Sequence, residues 1–123
     1  MLLVKTRLGT SDIHGLGVFA DERIPKGTLM WEFTRGFDLE LRIEDFLPQK
    51  SYILHYGSMF EPGVYLLCGD DARFMNHSDR PNMSGSGTQN FALCDIAAGE
   101  EITCDYREFI VDFMDFKNPD PKA

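Results

Sequence analysis

The sequence predicts a single, mostly β domain with few short helices, and three observations support this. Apolar runs of strand length recur along the chain, glycine or proline separates most of them, and few stretches carry helical spacing. At 123 residues the chain is long enough for one domain with a real core and too short for two. We place the domain at residues 1–116 and a frayed tail at 117–123.

The first predicted strand covers residues 2–8, where apolar and basic residues alternate, and residues 9–14 form a turn. A second strand covers residues 28–34 around Trp31, and Arg35 and Gly36 terminate it. Residues 39–47 show no clean period, so we expect a short strand or loop followed by a helical turn that Pro48 stops.

Gly15 and Gly17 open a stretch that fits the first part of the dinucleotide-binding pattern G-x-G-x-x-G/A, with Ala20 in the last place. That pattern requires a helix directly after the glycines, whereas Pro25 and Gly27 predict a turn. We therefore exclude a dinucleotide site. A Gly-x-Gly between strands either lets a ligand approach bare backbone or forms a turn or bulge that needs glycine.

The middle of the chain predicts a helical piece at residues 49–56 that Gly57 closes, then a buried strand at residues 64–68. The polar stretch 73–82 follows, with amide, imidazole and guanidinium groups beside Phe74 and Met75. It is either a rigid loop carrying functional groups or a surface turn. We expect Arg73 to form a structural ion pair with Asp70 or Asp71.

The last third predicts a hairpin tip at residues 84–88 and strands at residues 91–94 and 102–106. Apolar side chains then recur at helical spacing, at Phe109, Phe113 and Phe116. We see no internal repeat.

Net charge and cysteine content limit the kinds of partner, metal site and compartment that we expect. A net charge of −8 and a pI near 4.7 argue against a general nucleic-acid binder and favour basic partners. Three cysteines without a C-x-x-C pair predict buried free thiols in strands, with no disulfide framework and no metal site. With neither a signal peptide nor a membrane-spanning run in view, we expect a cytoplasmic protein that binds no membrane.

Three blocks of sequence together resemble the SET domain of protein lysine methyltransferases. They come in the family's order and span nearly the whole chain: residues 15–20 (GLGVFA), 73–82 (RFMNHSDRPN) and 99–106 (GEEITCDY). The second and third blocks are highly specific in combination. The build is similar to that of the compact, stand-alone SET proteins of bacteria and large viruses.

The resemblance implies a fold, a cofactor and a set of site residues. The fold is a β-clip of short curved sheets in which the last block threads, knot-like, beneath the loop carrying Asn76 and His77. The cofactor is S-adenosyl-L-methionine, and Tyr106 is the catalytic residue. The residues implied to bind the cofactor are Gly15, Leu16, Gly17, Asn76, His77 and Tyr106.

The target lysine is implied to enter from the opposite face through a narrow channel. We place Tyr106, Phe109, Phe113 and Tyr65 on that channel. Tyr52 and Tyr56 remain candidates beside Tyr65 for a second channel tyrosine. The phenylalanine stripe either completes the channel, covers the adenine or packs on the core.

The implied function is methyl transfer to a lysine amine in a basic protein or peptide. The alternatives are an inactive SET-fold module that binds a basic peptide or partner protein and, further off, a methyltransferase for a small amine. We expect a monomer or homodimer without direct nucleic-acid binding, in the cytoplasm or in a host nucleus if delivered there.

Overall fold

The computed structural model of the protein describes residues 1–108. Within that range lie nine strands, one α-helix (α1, Lys50–Tyr56) and three 3-10 helices, Ile43–Gln49, Asp71–Phe74 and Tyr106–Glu108. The strands are β1 Thr6–Thr10, β2 Leu16–Ala20, β3 Leu29–Glu32, β4 Leu39–Arg42, β5 Ser58–Glu61, β6 Val64–Leu67, β7 Asn76–His77, β8 Gln89–Phe91 and β9 Glu101–Cys104.

The strands form three small sheets. One has the order β1-β2-β9-β7, the second pairs β3 with β8, and the third has the order β4-β6-β5. All pairs are antiparallel except β7 with β9, where Asn76 lies opposite Thr103 and His77 opposite Cys104. The predicted mostly β architecture of short sheets and few helices is confirmed.

Strand β9 lies between β2 and the segment that follows β7. The amide of Asn82 donates to the carbonyl oxygen of Glu101 and accepts from the backbone N–H of Thr103, both at 2.8 Å. Ser78 and Met83 also donate backbone hydrogen bonds to β9. The last described strand is thus enclosed on both sides, as the predicted threading beneath the loop that carries Asn76 and His77 requires.

Two segments of the chain are related by an approximate two-fold. The backbone N–H of Ile24 donates to the carbonyl oxygen of Ile96, and the N–H of Ile96 donates to that of Ile24. In the same reciprocal way, the N–H of Ala20 donates to the carbonyl oxygen of Glu100, and the N–H of Ala92 donates to that of Thr28. Each segment turns at a glycine with positive φ. The repeated pattern is Phe, Ala, Ile and Gly at equal spacing, in Phe19, Ala20, Ile24 and Gly27 and again in Phe91, Ala92, Ile96 and Gly99. The expectation of no internal repeat is therefore wrong.

The main core forms where the two related segments meet, and its most buried members are Val18, Ala20, Ile24, Met30, Ile96 and Ile102. Ile53, Tyr65 and Leu67 are also buried, on α1 and β6. In the part of the chain that the structure describes, no helix has both the length and the apolar character needed to cross a membrane.

Several local predictions need correction. Gly17 lies within β2, which pairs along its whole length with β1, whereas Gly15 precedes β2 in the bend after β1 and has a positive φ, so the turn alternative holds for Gly15 only. The first strand begins at Thr6, while Leu2 only bridges to Trp31. Strand β5 was not predicted. Cys94 is exposed, so it is not a buried thiol. The predicted domain boundary and the phenylalanine stripe from Phe109 lie outside the described residues.

Candidate functional site

Two adjacent cavities share five lining residues, which we call the shared wall: His55, Tyr56, Arg73, Met75 and Tyr106. The glycine-side cavity, of about 530 Å³, is also lined by residues 14–16, Phe74 and Asn76. The tryptophan-side cavity, of about 720 Å³, is also lined by Trp31, Leu66, Cys68, Met83, Asn90 and Cys104. Both volumes include the open mouths of the cavities.

Tyr106 is held at this wall by both its backbone and its side chain. Its hydroxyl group donates to the carbonyl oxygen of Met75 at 2.5 Å, and its backbone N–H donates to Nδ1 of His77 at 3.1 Å. Burial, and then the neighbouring Cys104 and Glu101, raise the pKa of the phenol well above its ordinary value. The hydroxyl therefore keeps its proton at neutral pH.

His77 is fixed as one tautomer by the bonds it makes. Because the Tyr106 N–H points at Nδ1, that nitrogen carries a lone pair, and the proton of the neutral ring is on Nε2, 3.0 Å from Asp79. Asp105 lies beside the ring, and the Arg107 guanidinium bonded to it lowers the pKa of that carboxyl to about 2. His77 itself contacts Tyr106 rather than lining either cavity.

Asn76 is buried at the floor of the glycine-side cavity. Its Nδ2 donates at 3.0 Å to three oxygens: the carbonyls of His14 and Leu16 and the carboxylate of Glu101. These bonds connect β7 to the residues that precede and begin β2. The structure thus brings Asn76, Gly15, Leu16 and Tyr106 to one cavity, as the resemblance implied.

Gly17 has a different setting from Gly15. Gly15 adopts a positive φ of 48° and lines the cavity, whereas a Cβ on Gly17 would overlap the Glu101 carboxylate. Gly17 is therefore needed for the close approach of Glu101 to β2. Its predicted contact with the cofactor remains a prediction.

Arg73 and Tyr56 of α1 complete the shared wall. Arg73 donates to the carbonyl oxygen of Cys68 and to the hydroxyl group of Tyr52, so the predicted ion pair with Asp70 or Asp71 is wrong. Tyr56 stacks edge-on against Phe74, with ring centroids 5.4 Å apart, and lines both cavities. This position makes Tyr56 the better candidate for a second channel tyrosine.

Tyr65 is buried in β6 and lines neither cavity. Its neighbour Leu66 faces the tryptophan-side cavity, and alternate residues of a strand face opposite sides of the sheet. The structure therefore does not place Tyr65 on the channel. Phe109 and Phe113, the other predicted channel residues, lie outside the described part of the chain.

The chain matches a known protein family over most of its length. Residues 15–107 match the family model described as the SET domain. The chain belongs to the SET-domain family. All three blocks noted in the sequence fall within the matched residues, and so do the five residues of the shared wall.

Two curated relatives of this SET domain are histone-lysine N-methyltransferases. ATX2 of Arabidopsis thaliana is 32% identical over 124 residues, covering 85% of this chain and 11% of the relative. The H3 lysine-36 specific enzyme of Schizosaccharomyces pombe is 35% identical over 106 residues, covering 75% and 13%. The chain thus spans about a tenth of the length of these relatives.

Solved structures share the fold. Chaetomium thermophilum Polycomb Repressive Complex 2 bound to GSK126 gives a TM-score of 0.70 at 21% identity, covering 90% of this chain and 17% of the other. ctPRC2 in an autoinhibited conformation bound to S-adenosylmethionine gives 0.66 at 23% identity, covering 90% and 16%.

Sequence reasoning missed Glu101, Met75 and the wall role of Arg73. Glu101 belongs to the third block, but its partners come from distant parts of the chain, and Met75 acts through a backbone carbonyl that no residue type predicts. Within residues 1–108 no group of three or more His, Cys, Asp or Glu side chains is placed to hold a metal ion.

Proposed function

We propose that this SET domain transfers a methyl group from S-adenosylmethionine to the side-chain amine of a lysine in a protein. The observation that carries the proposal is the position of Tyr106 in the wall shared by two cavities. A methyl donor in one cavity and an amine in the other would meet at its hydroxyl group. The kinship with histone-lysine methyltransferases and the fold support the same reaction class.

The chemistry of the glycine-side cavity suits the donor. Asn76 and the backbone of residues 14–16 provide polar groups for an amino-acid moiety, and Tyr56 and Phe74 provide aromatic surface for a purine. When bound there, S-adenosylmethionine supplies an electrophilic methyl group on a sulfonium. The residues present therefore fit the donor that the family uses.

The tryptophan-side cavity suits a lysine side chain. Its lining is mainly apolar, with Trp31, Leu66, Met83 and Tyr56 among its members. An apolar channel lowers the pKa of an amine from its value of about 10.4 in water, because burial penalises the ammonium form. The neutral amine can then attack the methyl group.

Tyr106 orients that amine rather than removing its proton. A phenol oxygen can accept a hydrogen bond while it donates one, so Tyr106 can accept from the amine N–H while its own proton lies on the Met75 carbonyl. A phenol whose pKa is raised is a poor general base at neutral pH. Holding the two reactants in line contributes up to about 7–11 kcal/mol in favourable cases.

The substrate that fits best is a lysine in a basic protein segment, because the chain carries a net charge of −8. The curated relatives act on histones, which makes histone tails the first peptides to test. We propose the cytoplasm, or a host nucleus, as the compartment, according to where such a substrate lies. Microscopy of the tagged protein would contradict this if the signal were confined elsewhere.

A peptide array with isotope-labelled S-adenosylmethionine tests the function. We expect label on lysine peptides and none on matched peptides in which arginine replaces each lysine, with a mass gain of whole methyl groups. Binding of S-adenosylmethionine without transfer to any amine, or binding of basic peptides alone, would instead indicate the inactive module.

A further inference from the structure

The carboxylate of Glu101 contacts two structures that form the glycine-side cavity, although it does not line that cavity. Its two oxygens accept hydrogen bonds from the hydroxyl group of Ser11 at 2.8 and 2.9 Å. One of them also accepts from Nδ2 of Asn76 at 3.0 Å. Glu101 therefore connects the β1–β2 loop to β7 by hydrogen bonds, without lining the cavity itself.

Ser11 passes this restraint to the loop that lines the cavity. Its hydroxyl oxygen accepts the backbone N–H groups of Ile13 and His14, at 2.9 and 3.3 Å, and its own N–H donates to the carbonyl oxygen of Gly15. The Ser11 hydroxyl group donates its proton to Glu101 and accepts from two N–H groups. Its full capacity for hydrogen bonding, one donor and two lone pairs, is therefore satisfied. The loop conformation thus depends on the carboxylate beneath it.

Asn76 is oriented by the same carboxylate. Its amide faces three oxygen acceptors, and a flipped amide would place Oδ1 against all of them. Only Nδ2 can therefore face these oxygens, so the three acceptors fix Oδ1 as the end of the amide that is turned away from them. Glu101 is the one charged member of the three, which makes its hydrogen bond the strongest.

Gly17 provides the room for this arrangement. A Cβ at this position would overlap the carboxylate and would lie 3.1 Å from the Cβ of Ser11. The close approach of Glu101 is thus sufficient reason for a glycine at this position.

We propose that Glu101 is a positioning residue for the methyl donor. Through Asn76 it presents an amide oxygen to the donor's α-ammonium group, and through Ser11 it holds the loop against the donor's amino-acid moiety. This inference rests on the proposed function, since it assigns a role at the same site. It predicts that Glu101 matters for the amino-acid moiety and not for the adenosine moiety.

Two probes separate those moieties: S-adenosylmethionine and 5′-methylthioadenosine, which lacks the amino-acid part. Calorimetry compares the wild type with Glu101→Ala, Glu101→Gln and the control Glu100→Ala. We expect Glu101→Ala to weaken S-adenosylmethionine binding by about tenfold or more, and 5′-methylthioadenosine binding by less than about twofold. Glu101→Gln retains an acceptor oxygen for Asn76 and should bind within about threefold of the wild type.

The neighbouring Glu100 is exposed and its carboxylate only accepts from the N–H of Ala97, so Glu100→Ala should bind both probes normally. Equal affinity of wild type and Glu101→Ala for S-adenosylmethionine, or an equal loss for both probes, would overturn the inference. A wild type that binds neither probe would instead overturn the proposed function. If Glu101→Ala does not fold, Glu101→Asp keeps the charge but withdraws the carboxylate, and the same selective loss is required of it.

Discussion

The hydroxyl group of Tyr106 donates its only proton to the backbone carbonyl oxygen of Met75, across a distance of 2.5 Å. Met75 directly precedes β7, and Tyr106 follows β9 by two residues, so the parallel pairing of these strands brings the two groups together. This hydroxyl group belongs to a residue that lines both cavities, and its oxygen has the lone pairs to act as an acceptor there.

Replacement of Tyr106 by phenylalanine removes that acceptor and keeps the ring. We expect turnover to fall by about a hundredfold or more, since catalysis here depends on orientation. Donor affinity should change by less than about twofold, because the ring still fills the wall. Steady-state kinetics with a methylated peptide product and calorimetry measure the two quantities, and wild-type turnover in the variant would show that Tyr106 is misassigned.

The titration of Tyr106 should follow from its burial. Its pKa is raised above the ordinary value near 10, so the folded protein binds this proton more tightly than the unfolded chain does. The free energy of unfolding should therefore lose nothing from this group below pH of about 10 and should fall as the pH rises further. The phenolate absorbance of the wild type minus that of Tyr106→Phe reports the titration. A difference signal near pH 9 would contradict the burial argument.

His77 should act on catalysis through the backbone of Tyr106. An asparagine at this position carries an acceptor oxygen on Cγ, as the imidazole carries Nδ1, whereas alanine carries none. We expect His77→Ala to lower kcat by about tenfold or more and His77→Asn to retain most of it. Equal losses in both variants would mean that the hydrogen bond to Tyr106 is not the relevant contact.

Asn82 should contribute to stability because it closes the second side of β9. Asn82→Ala leaves the Thr103 N–H and the Glu101 carbonyl without partners, at a cost of about 2–4 kcal/mol in the free energy of unfolding. Asn90→Ala is the matched control, since Asn90 is equally buried but donates only to Ser86. Urea denaturation compares them. A smaller loss for Asn82→Ala than for Asn90→Ala would contradict the account of the knot.

The three cysteines should differ in reactivity. Cys94 is exposed and Cys104 is buried, and burial raises the pKa of the Cys68 thiol to about 12. We expect an alkylating reagent at pH 8 to modify Cys94 first in the native protein, because only the thiolate reacts. Peptide mass spectrometry locates the label, and Cys94→Ser removes the fast phase. Fast labelling of Cys68 would show that its side of the tryptophan-side cavity is open.

Much of the fold could be predicted because the apolar runs around Trp31, Tyr65 and Ile102 coincide with β3, β6 and β9. Pairing between distant segments could not. Strand β7 is only two residues long, and its sequence of asparagine and histidine carries no strand pattern. The Phe, Ala, Ile and Gly residues of the two segments are equally spaced in the sequence. Only the reciprocal hydrogen bonds between Ile24 and Ile96 show that this spacing reflects an approximate two-fold.

The part of the site that could be predicted consists of residues that belong to recognisable sequence motifs. Asn76 and Tyr106 fall where the resemblance placed them, beside Gly15 and Leu16. Tyr56 could not be chosen over Tyr65, because the choice depends on which face of β6 meets the cavity. Their roles in binding and transfer remain predictions that the variants above test.

A crystal structure of the protein with S-adenosylhomocysteine and a lysine peptide tests the central claim most directly. The account predicts the sulfur atom in the glycine-side cavity, the lysine Nζ arriving through the tryptophan-side cavity, and the Tyr106 hydroxyl oxygen within hydrogen-bond distance of that nitrogen. Both ligands in one cavity, or a lysine nitrogen remote from Tyr106, would contradict it.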